Sequence, residues 1–325
     1  MTDSSFFEIP IEIRALRTAT VYIITTDSSR FLVDTGMRSS SMDEISKLGV
    51  DLSKLDGIII THLHIDHVGG ASAIKKKYGT QIVMGKRDAE ICHNIGENHH
   101  EYLEFLEQFY RENGVDQKVL TQLMRDHPMH MEYSRYSELE FDQMVERKDH
   151  PLGDKQIDLL VTPGHSPGSI SPVTESGEIF AGDLVLKSIT PNISFYDEST
   201  DMLSLYLESI GKLRKGNYRK VNPGHGVPFS DLKGRIDEIR NHHMQRLDEV
   251  LQILGGGEKT AFQVTLEMRW SRGRVFQNMN EFEKNFAFGE AVSHLRKLQA
   301  DGKVETSGRN GVTYYRKSAG ESGFS

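Results

Sequence analysis

The sequence predicts a mixed α/β fold in which polar residues gather where strands end. Short apolar runs typical of buried strands, such as Gly57–Ile60 and Ile157–Val161, are each followed by a loop that contains glycine together with histidine. Other segments have the apolar spacing of helices, for example Ser39–Leu48, which ends at Gly49, and Val68–Tyr78. Because loops at the rim of a rigid sheet often carry binding and catalytic groups, this pattern indicates a functional site at the strand ends.

The first predicted element is a β-hairpin. Thr20–Thr26 and Arg30–Asp34 are apolar or alternating, and Asp27–Ser29 supplies the turn between them. The hairpin leads into Asp34-Thr35-Gly36. Taken alone, Asp34 is better explained as a cap of the next segment, but its position ahead of a histidine cluster favours a role in the site.

The strongest chemical signal follows the strand Gly57–Ile60. Three histidines and an aspartate fall within six residues, namely His62, His64, Asp66 and His67. His62 and His64 are two residues apart, so an extended backbone directs both imidazoles to the same side. The adjacent Asp66 and His67 must point differently, which suits a second ion. Imidazole and carboxylate are ligands of zinc, iron and manganese, and the cluster offers no thiolate.

Three further candidate ligands stand in the same context. His165 follows the run Ile157–Val161, Asp183 ends the run Ile179–Asp183, and His225 lies in Asn222–Gly226. Each therefore follows a strand-like run beside glycine or proline. Together with the cluster they make five histidines and two aspartates, enough for two ions with open positions.

These residues and their order resemble the metallo-β-lactamase superfamily. The matching motifs are Asp34-Thr35-Gly36, the His62–His67 cluster, His165, Asp183 and His225. Agreement at five separated points is far more specific than a single motif. The resemblance implies a four-layer αββα sandwich with a dinuclear metal site along one edge of its two sheets.

The same resemblance implies a role for each residue of the motifs. It assigns one metal to His62, His64 and His165, the second metal to Asp66, His67 and His225, a bridging role to Asp183, and an orienting role to Asp34. Zinc is the expected metal, with iron and manganese as alternatives that the same ligands suit.

Composition limits the class of protein. No apolar run of the 325 residues approaches the ~20 needed to cross a bilayer, and no signal peptide is apparent. Cys92 is the single cysteine, which excludes an intramolecular disulfide and fits a reducing cytoplasm. The net charge of −8 argues against nucleic acid as a partner. We therefore expect a cytoplasmic protein that acts on a small molecule and binds no membrane.

We predict a catalytic domain at residues 1–232 with a helical insertion at 86–150. The insertion has 15 Asp and Glu against 8 Lys and Arg, a net charge of −7. One hypothesis makes it a lid or pocket wall, lined by Met129, Met131, Tyr133 and Tyr136. The other makes it a helical hairpin packed on the sandwich or on a second subunit, and both hypotheses are compatible because long insertions are usually functional.

The chain changes character after residue 232. Residues 233–318 combine helices with a hairpin at Asn310-Gly311, a pattern similar to a winged helix, and 319–325 form a disordered tail. The segment 233–317 has 15 Lys and Arg against 11 Asp and Glu, too small a surplus for a DNA-reading face. We expect it to pack on the sandwich or on a partner subunit of a homodimer.

The whole chain resembles a glyoxalase-II-like branch of the superfamily that has such a tail, which implies hydrolysis of a thioester or ester. Two cations that share Asp183 can hold a bridging water and lower its pKa from about 15.7 to roughly 7, giving hydroxide. Asp66, the predicted catalytic residue, would orient that hydroxide or pass on its proton.

The alternatives are a lactonase, then a phosphodiesterase or endoribonuclease, which the acidic insertion disfavours. A β-lactamase is disfavoured because those enzymes have another residue where Asp66 stands. A non-hydrolytic redox protein is disfavoured because oxygen-reducing relatives add a flavin domain.

Overall fold

Ten strands of the described chain form two facing sheets. The computed structural model describes residues 2–11, 17–125, 127, 133–270 and 274–318. The first sheet has the order β1-β2-β3-β4-β5-β6, and the second has the order β10-β9-β8-β7. Their strands are β1 (Asp3–Pro10), β2 (Thr18–Thr25), β3 (Arg30–Val33), β4 (Gly57–Ile60), β5 (Gln81–Gly85), β6 (Gln143–Val145), β7 (Ile157–Val161), β8 (Ile170–Thr174), β9 (Glu178–Gly182) and β10 (Lys220–Pro223).

Eleven α-helices of the described residues accompany the sheets. They are α1 (Ser41–Lys47), α2 (Ile65–Val68), α3 (Ala71–Tyr78), α4 (Lys86–Glu97), α5 (His99–Glu112), α6 (Gln117–Arg125), α7 (Tyr133–Tyr136), α8 (Met202–Lys215), α9 (Leu232–Leu254), α10 (Ala261–Glu267) and α11 (Glu281–Ala300). Short 3-10 turns span Leu52–Lys54, Pro151–Gly153 and Phe276–Asn278. None of these helices is long and apolar enough to cross a membrane.

The chain divides into two compact units. The first comprises Met1–Glu97, Glu132–Pro191 and Tyr206–Glu238, and contains both sheets. The second comprises Asn98–Met131, Asn192–Leu205 and Ile239–Ser325. The domains expected from the sequence are continuous segments, whereas each compact unit is built from several separate segments. The expected domain limits therefore stay predictions. So do the homodimer and the lid hypothesis.

The core of the first unit lies between the two sheets. Side chains two residues apart on a strand share a face, so Tyr22 and Ile24 of β2 point the same way. Fully burying each such apolar side chain stabilises the fold by roughly 1.5–3 kcal/mol. The core residues from the first sheet are Tyr22, Ile24, Phe31, Val33, Ile59, Val83 and Val145, and those from the second are Ile157, Leu159, Ile170 and Phe180.

The predicted N-terminal hairpin is confirmed. β2 and β3 pair antiparallel, with Tyr22 opposite Val33, and the turn closes through a hydrogen bond from Thr26 N–H to the Ser29 carbonyl at 2.8 Å. The strand β1 was not predicted. It pairs with β2 along its whole length and carries mostly exposed or half-buried side chains. Its alternation is too weak to show in the sequence alone.

The predicted helix over Val68–Tyr78 is wrong in its start. The structure has a short helix, α2, that ends at Val68, and α3 begins at Ala71. Gly69 separates them, and a Cβ there would lie 2.1 Å from the Met37 carbonyl oxygen. Gly69 therefore marks a break between two helices, and it allows the backbone of Met37 to approach closely.

Strand direction explains why the candidate residues meet. β7, β9 and β10 run the same way, because β8 is antiparallel to β7 and β9 while β10 is parallel to β9. Their carboxyl ends therefore lie at one edge of the second sheet. The carboxyl end of β4 joins this edge, since Ile170 N–H donates to the Thr61 carbonyl at 2.9 Å.

Aromatic side chains line one face of α5 and pack within the second unit. Phe109 of α5 stacks on Phe195 with ring centroids 4.2 Å apart, and Tyr110 lies 4.9 Å from Phe288 of α11. The Tyr110 hydroxyl also donates to Asn285 Oδ1 at 2.5 Å. Packing within this unit accounts for the apolar pattern that the sequence shows in α5.

The C-terminal hairpin forms as predicted. β11 (Val304–Arg309) and β12 (Val312–Lys317) pair antiparallel, and Asn310 and Gly311 have φ angles of 51° and 76°. Positive φ at both central residues is the mark of a type I′ turn. The winged-helix interpretation of 233–318 stays a prediction. Met129, Met131 and the tail 319–325 lie outside the described residues.

Candidate metal centre

All seven candidate ligands converge at the edge where β4, β7, β9 and β10 end. Their nitrogen and oxygen atoms fall into groups whose members lie within 4.8 Å of one another. The groups are His62 with His64 and His165; His62 with His67 and Asp183; and Asp66 with His67 and His225. Residues up to 163 positions apart in the chain therefore share one site.

The first group has the geometry of a tripod. The His64 ring lies 4.8 Å from the His62 ring and 4.7 Å from the His165 ring, with both pairs edge-to-face. His64 Nδ1 and His165 Nε2 are 3.0 Å apart. Two imidazole nitrogens bound to one tetrahedral zinc lie about 3.3 Å apart, given Zn–N bonds of about 2.0–2.1 Å. The spacing therefore fits a shared ion.

A second group, formed by Asp66, His67 and His225, shares no residue with the first. His225 Nε2 lies 3.3 Å from Asp66 Oδ2 and 3.3 Å from Asp183 Oδ2. Asp183 also approaches the other histidines, with Oδ1 at 3.6 Å from His67 Nε2 and Oδ2 at 3.9 Å from His165 Nε2. Its carboxylate thus stands between the two groups.

Asp34 orients two imidazoles through hydrogen bonds. Its Oδ2 accepts from His67 Nδ1 at 2.8 Å, and the Thr61 hydroxyl donates to the same oxygen at 2.8 Å. Because that hydroxyl proton is committed, Thr61 Oγ1 accepts from His62 Nδ1 at 3.0 Å. Both imidazoles are thereby held as the tautomer whose Nε2 lone pair faces the site. Asp34 has φ +59°, a strained conformation for a non-glycine residue.

His225 is oriented by the N-terminal hairpin. Its Nδ1 donates to the Thr18 carbonyl at 2.7 Å, which leaves Nε2 facing the site. Strand β2 supports the same loop further along, since the Tyr22 hydroxyl donates to the Pro223 carbonyl at 2.7 Å. A backbone carbonyl as the partner of a ligand histidine is a common way to fix its tautomer.

The buried polar atoms of the site fit a pair of cations. Three of them make no hydrogen bond within the described chain: the Nε2 atoms of His62 and His67, and Asp183 Oδ1. Buried polar atoms are nearly always paired, so several orphans aimed at one point indicate a ligand. Imidazole nitrogen and carboxylate oxygen are donors that zinc, iron and manganese accept.

The charges of the site also favour cations. Burial alone would lower the pKa of His67, but the carboxylates of Asp66, Asp34 and Asp183 raise it to about 9. Burial likewise opposes a charged His225, yet Asp183 and Asp66 hold its pKa well above the usual range. The raised pKa of both imidazoles reflects the negative charge of these carboxylates, which divalent cations would neutralise.

The other two imidazoles behave differently. Burial and the neighbouring His165 lower the pKa of His64 to about 3, and burial together with His67 lowers that of His62 well below its usual range. Both are neutral near pH 7, which is the form that binds a metal. Among the acids, burial opposes ionisation of Asp66, but His67 and His225 lower its pKa to about 2.

Several polar residues with the chemistry of a pocket wall or an oxyanion site have other partners. Asn192 donates to the Phe286 carbonyl at 3.1 Å, and Ser194 packs on Gly289, where a Cβ would lie 2.1 Å from Ser194 Oγ. Tyr136, expected in a pocket wall, is 3% exposed, and its hydroxyl donates to the Leu63 carbonyl at 3.2 Å. Tyr133 is 42% exposed.

Sequence reasoning missed Thr61 and Thr18, which contact His62 and His225. Thr61 adjoins His62 and could have been suspected from its place between a strand and the cluster. Thr18 acts through its backbone, which no side-chain pattern reveals.

The two facing sheets and this donor set are the features expected of a protein that holds divalent metal ions at a sheet edge. The chain belongs to the metallo-β-lactamase superfamily, whose family model matches residues 15–225. A fold of this family implies divalent metal ions, and the clusters described above are suited to them.

Known proteins resemble the chain along most of its length. Beta-lactamase-like protein 2 homolog of Caenorhabditis elegans is 25% identical over 296 residues, which are 89% of this chain and 81% of that protein. Atrochrysone carboxyl ACP thioesterase of Cryptosporiopsis sp. (strain 8999) is 22% identical over 315 residues, 91% of this chain and 79% of that protein.

A solved structure shares the fold. A metallo-beta-lactamase family protein of Thermus thermophilus superposes with a TM-score of 0.76 at 23% identity, covering 97% of this chain and 98% of that one. At this identity the likeness concerns the fold alone. Family membership and the hydrolytic relative support assignment of the chain as a metallo-hydrolase.

Proposed function

We propose that the chain is a dinuclear metal-dependent hydrolase of acyl thioesters, similar to the glyoxalase-II-like branch of the superfamily. The observation that carries the proposal is the position of Asp183. Its carboxylate lies within 3.3–3.9 Å of His67, His165 and His225, which belong to both ligand groups. A single carboxylate whose two oxygens face imidazoles of both groups would suit a position shared by two ions.

The residues would divide the ions between them. His62, His64 and His165 would hold one, Asp66, His67 and His225 would hold the other, and Asp183 would be shared. Bound divalent ions of this kind supply an activated water at neutral pH and polarise a carbonyl oxygen. Zinc is the proposed metal, because imidazole and carboxylate without thiolate are common ligands of catalytic zinc.

Asp66 would act on the attacking water as well as on an ion. It is ionised, with a pKa of about 2, and its Oδ2 lies 3.3 Å from His225 Nε2 at the same edge. An ionised carboxylate accepts a hydrogen bond from water and fixes the direction of its lone pair. A thiolate leaving group is stable without protonation, so thioester cleavage needs no further strong acid.

The choice of a thioester is supported by the thioesterase among the relatives, which spans 91% of this chain. The acid-rich residues 86–150 would disfavour polyanionic substrates at low ionic strength. An ester or a lactone has the same attacked carbonyl, so these substrates belong in the same test. Phosphodiesters serve there as the contrasting class.

The test compares substrates and variants with metal content. Zinc-loaded protein is assayed against acyl thioesters, acyl esters, lactones and a phosphodiester, beside His165→Ala and Asp183→Asn. We expect thioester hydrolysis in the parent, together with two zinc ions per chain. Each of these two variants should lose activity and at least one zinc ion per chain. His100→Ala and Asp248→Asn, at exposed positions, serve as matched controls and should keep both.

Two results contradict the proposal. Preference for the phosphodiester, an acyl ester or a lactone over every acyl thioester would refute the thioester assignment. Retention of two zinc ions and full activity in either variant would refute the assignment of the ligands.

A further inference from the structure

A buried carboxylate outside the proposed ligand set connects two of the ligand loops. Asp88 lies in the first turn of α4 and is fully buried. Its Oδ2 accepts hydrogen bonds from Leu63 N–H at 2.9 Å and from the Ser166 hydroxyl. Its Oδ1 accepts from Gly168 N–H at 2.5 Å. Three donors from two loops therefore converge on one side chain.

The donors are neighbours of the proposed ligands. Leu63 is the residue between His62 and His64, and Ser166 directly follows His165. The Asp88 carboxylate therefore ties the loop after β4 to the loop between β7 and β8. These two loops supply all three imidazoles of the first ligand group, which lie close enough to share one ion.

Contacts around Asp88 leave the two loops little freedom. A Cβ on Gly168 would lie 2.3 Å from the Asp88 backbone nitrogen, so the second loop is in close contact with the start of α4. On the other side, the Leu63 carbonyl accepts from the Tyr136 hydroxyl at 3.2 Å. The peptide groups on both sides of Leu63 are thus held by side chains from α4 and α7.

Burial makes this arrangement dependent on its donors. Transfer of a carboxylate from water into an apolar interior is costly unless hydrogen bonds compensate it. Burial raises the pKa of Asp88 to about 7, although the hydrogen bonds from Ser166, Gly168 and Leu63 act in the opposite direction. The hydrogen bonds that compensate the burial of Asp88 come from the two ligand loops.

We propose that Asp88 is a positioning residue that locks the His62–His64 loop to the His165 loop and so preorganises the first metal site. The inference rests on the proposed function for the identity of the ligands. Partners that orient metal ligands typically contribute about 10–100-fold to metal affinity. Asp88 acts one step further away, through the backbone that carries the ligands, and its effect is on one site rather than both.

The substitution Asp88→Asn tests this role with little change in volume. The amide retains one acceptor oxygen, but its NH2 group must then face either Gly168 N–H or the donors on Leu63 and Ser166. Two donors would oppose each other in a buried place, and the loops would separate. We expect one of two zinc equivalents to bind about 10–100-fold more weakly in competition with a chelator, while the other is unchanged.

Asp154→Asn is the matched control. Asp154 is also buried and accepts from the Thr26 hydroxyl at 2.6 Å and from Gln156 N–H at 3.0 Å. It precedes β7, at the opposite end of that strand from the His165 loop. We expect this variant to lose folding stability, measured by urea unfolding, with both zinc affinities unchanged. A purely structural role of Asp88 would give the same result in both variants.

The outcomes are separable from the proposed function. Unchanged affinity for both zinc equivalents in Asp88→Asn overturns the inference, even if the parent hydrolyses thioesters. If Asp88→Asn does not fold, Ser166→Ala decides: weaker binding of one equivalent supports the inference, and unchanged binding overturns it. A parent that binds two zinc ions but cleaves no thioester refutes the proposed substrate and leaves the role of Asp88 standing.

Discussion

Gly224→Ala places a methyl group inside the proposed bridging site. A Cβ at this position would lie 2.3 Å from Asp183 Oδ1 and 2.7 Å from His67 Cε1. The backbone has no room to retreat. Gly224 N–H donates to the Gly182 carbonyl, and Thr20 N–H donates to the Gly224 carbonyl, both at 2.7 Å. The side chains of Asp183 and His67 must therefore move.

The size of the movement sets the expected effect. Ordinary contact begins at 3.4 Å, so the Asp183 oxygen must shift by about 1 Å. A displacement of about 1 Å in a reacting constellation can lower the rate about 100-fold. Overpacking of this kind also costs roughly 1–3 kcal/mol of folding stability. We expect kcat to fall about 100-fold and one zinc equivalent to be lost.

Gly226→Ala is the matched control in the same loop. Gly226 has φ +78°, and a methyl group added there would have no atom within 4 Å, so its substitution strains only the backbone. The expected cost is about 1–2 kcal/mol of stability with zinc content unchanged. Zinc content and kcat are measured for both variants. Equal losses in the two, or full zinc content in Gly224→Ala, would refute the steric argument.

Three further predictions concern other parts of the chain. Thr61→Val removes the hydroxyl that links His62 to Asp34. It should lower the affinity for one zinc equivalent about 10–100-fold in chelator competition, and unchanged affinity would contradict this prediction. Burial opposes ionisation of Glu178, but its hydrogen bonds lower its pKa, so its stabilisation exists above the unfolded pKa and is lost as pH falls through the folded one. Glu178→Gln should therefore cost about 2 kcal/mol in urea unfolding at pH 7 and progressively less as the pH falls below the unfolded pKa of about 4.3, and a pH-independent cost would contradict this. Deleting residues 239–325 should uncover the aromatic face of α5 and cause aggregation in light scattering, whereas a monodisperse product would show that α5 is stable alone.

The convergence of the candidate ligands was predictable because their signals are local. The ability of histidine and aspartate to bind metal is a property of the residue type. The strand before each can be recognised from a few apolar residues. The run Gly57–Ile60 coincides with β4, and Asp183 directly follows β9. The turn at Asn310-Gly311 was predictable for the same reason, since positive φ at both positions is a property of those two residues.

Elements that depend on a distant partner were not predictable. Strand β1 exists because β2 offers it a complete row of backbone partners, and its own side chains barely alternate. The break between α2 and α3 reflects the close approach of Met37 to Gly69. Tyr136 is a residue type common in pocket walls, yet in the structure its hydroxyl donates to the Leu63 carbonyl.

The sequence by itself determined which atoms can bind metal and at which strand ends they stand. Only the tertiary structure decided which of them face one another and what holds them there. Asp88 lies 25 residues from Leu63 and 78 from Ser166, and its proposed role rests on hydrogen bonds across that separation. Ligand chemistry belongs to each side chain, whereas orientation depends on contacts that exist only after the two sheets have packed.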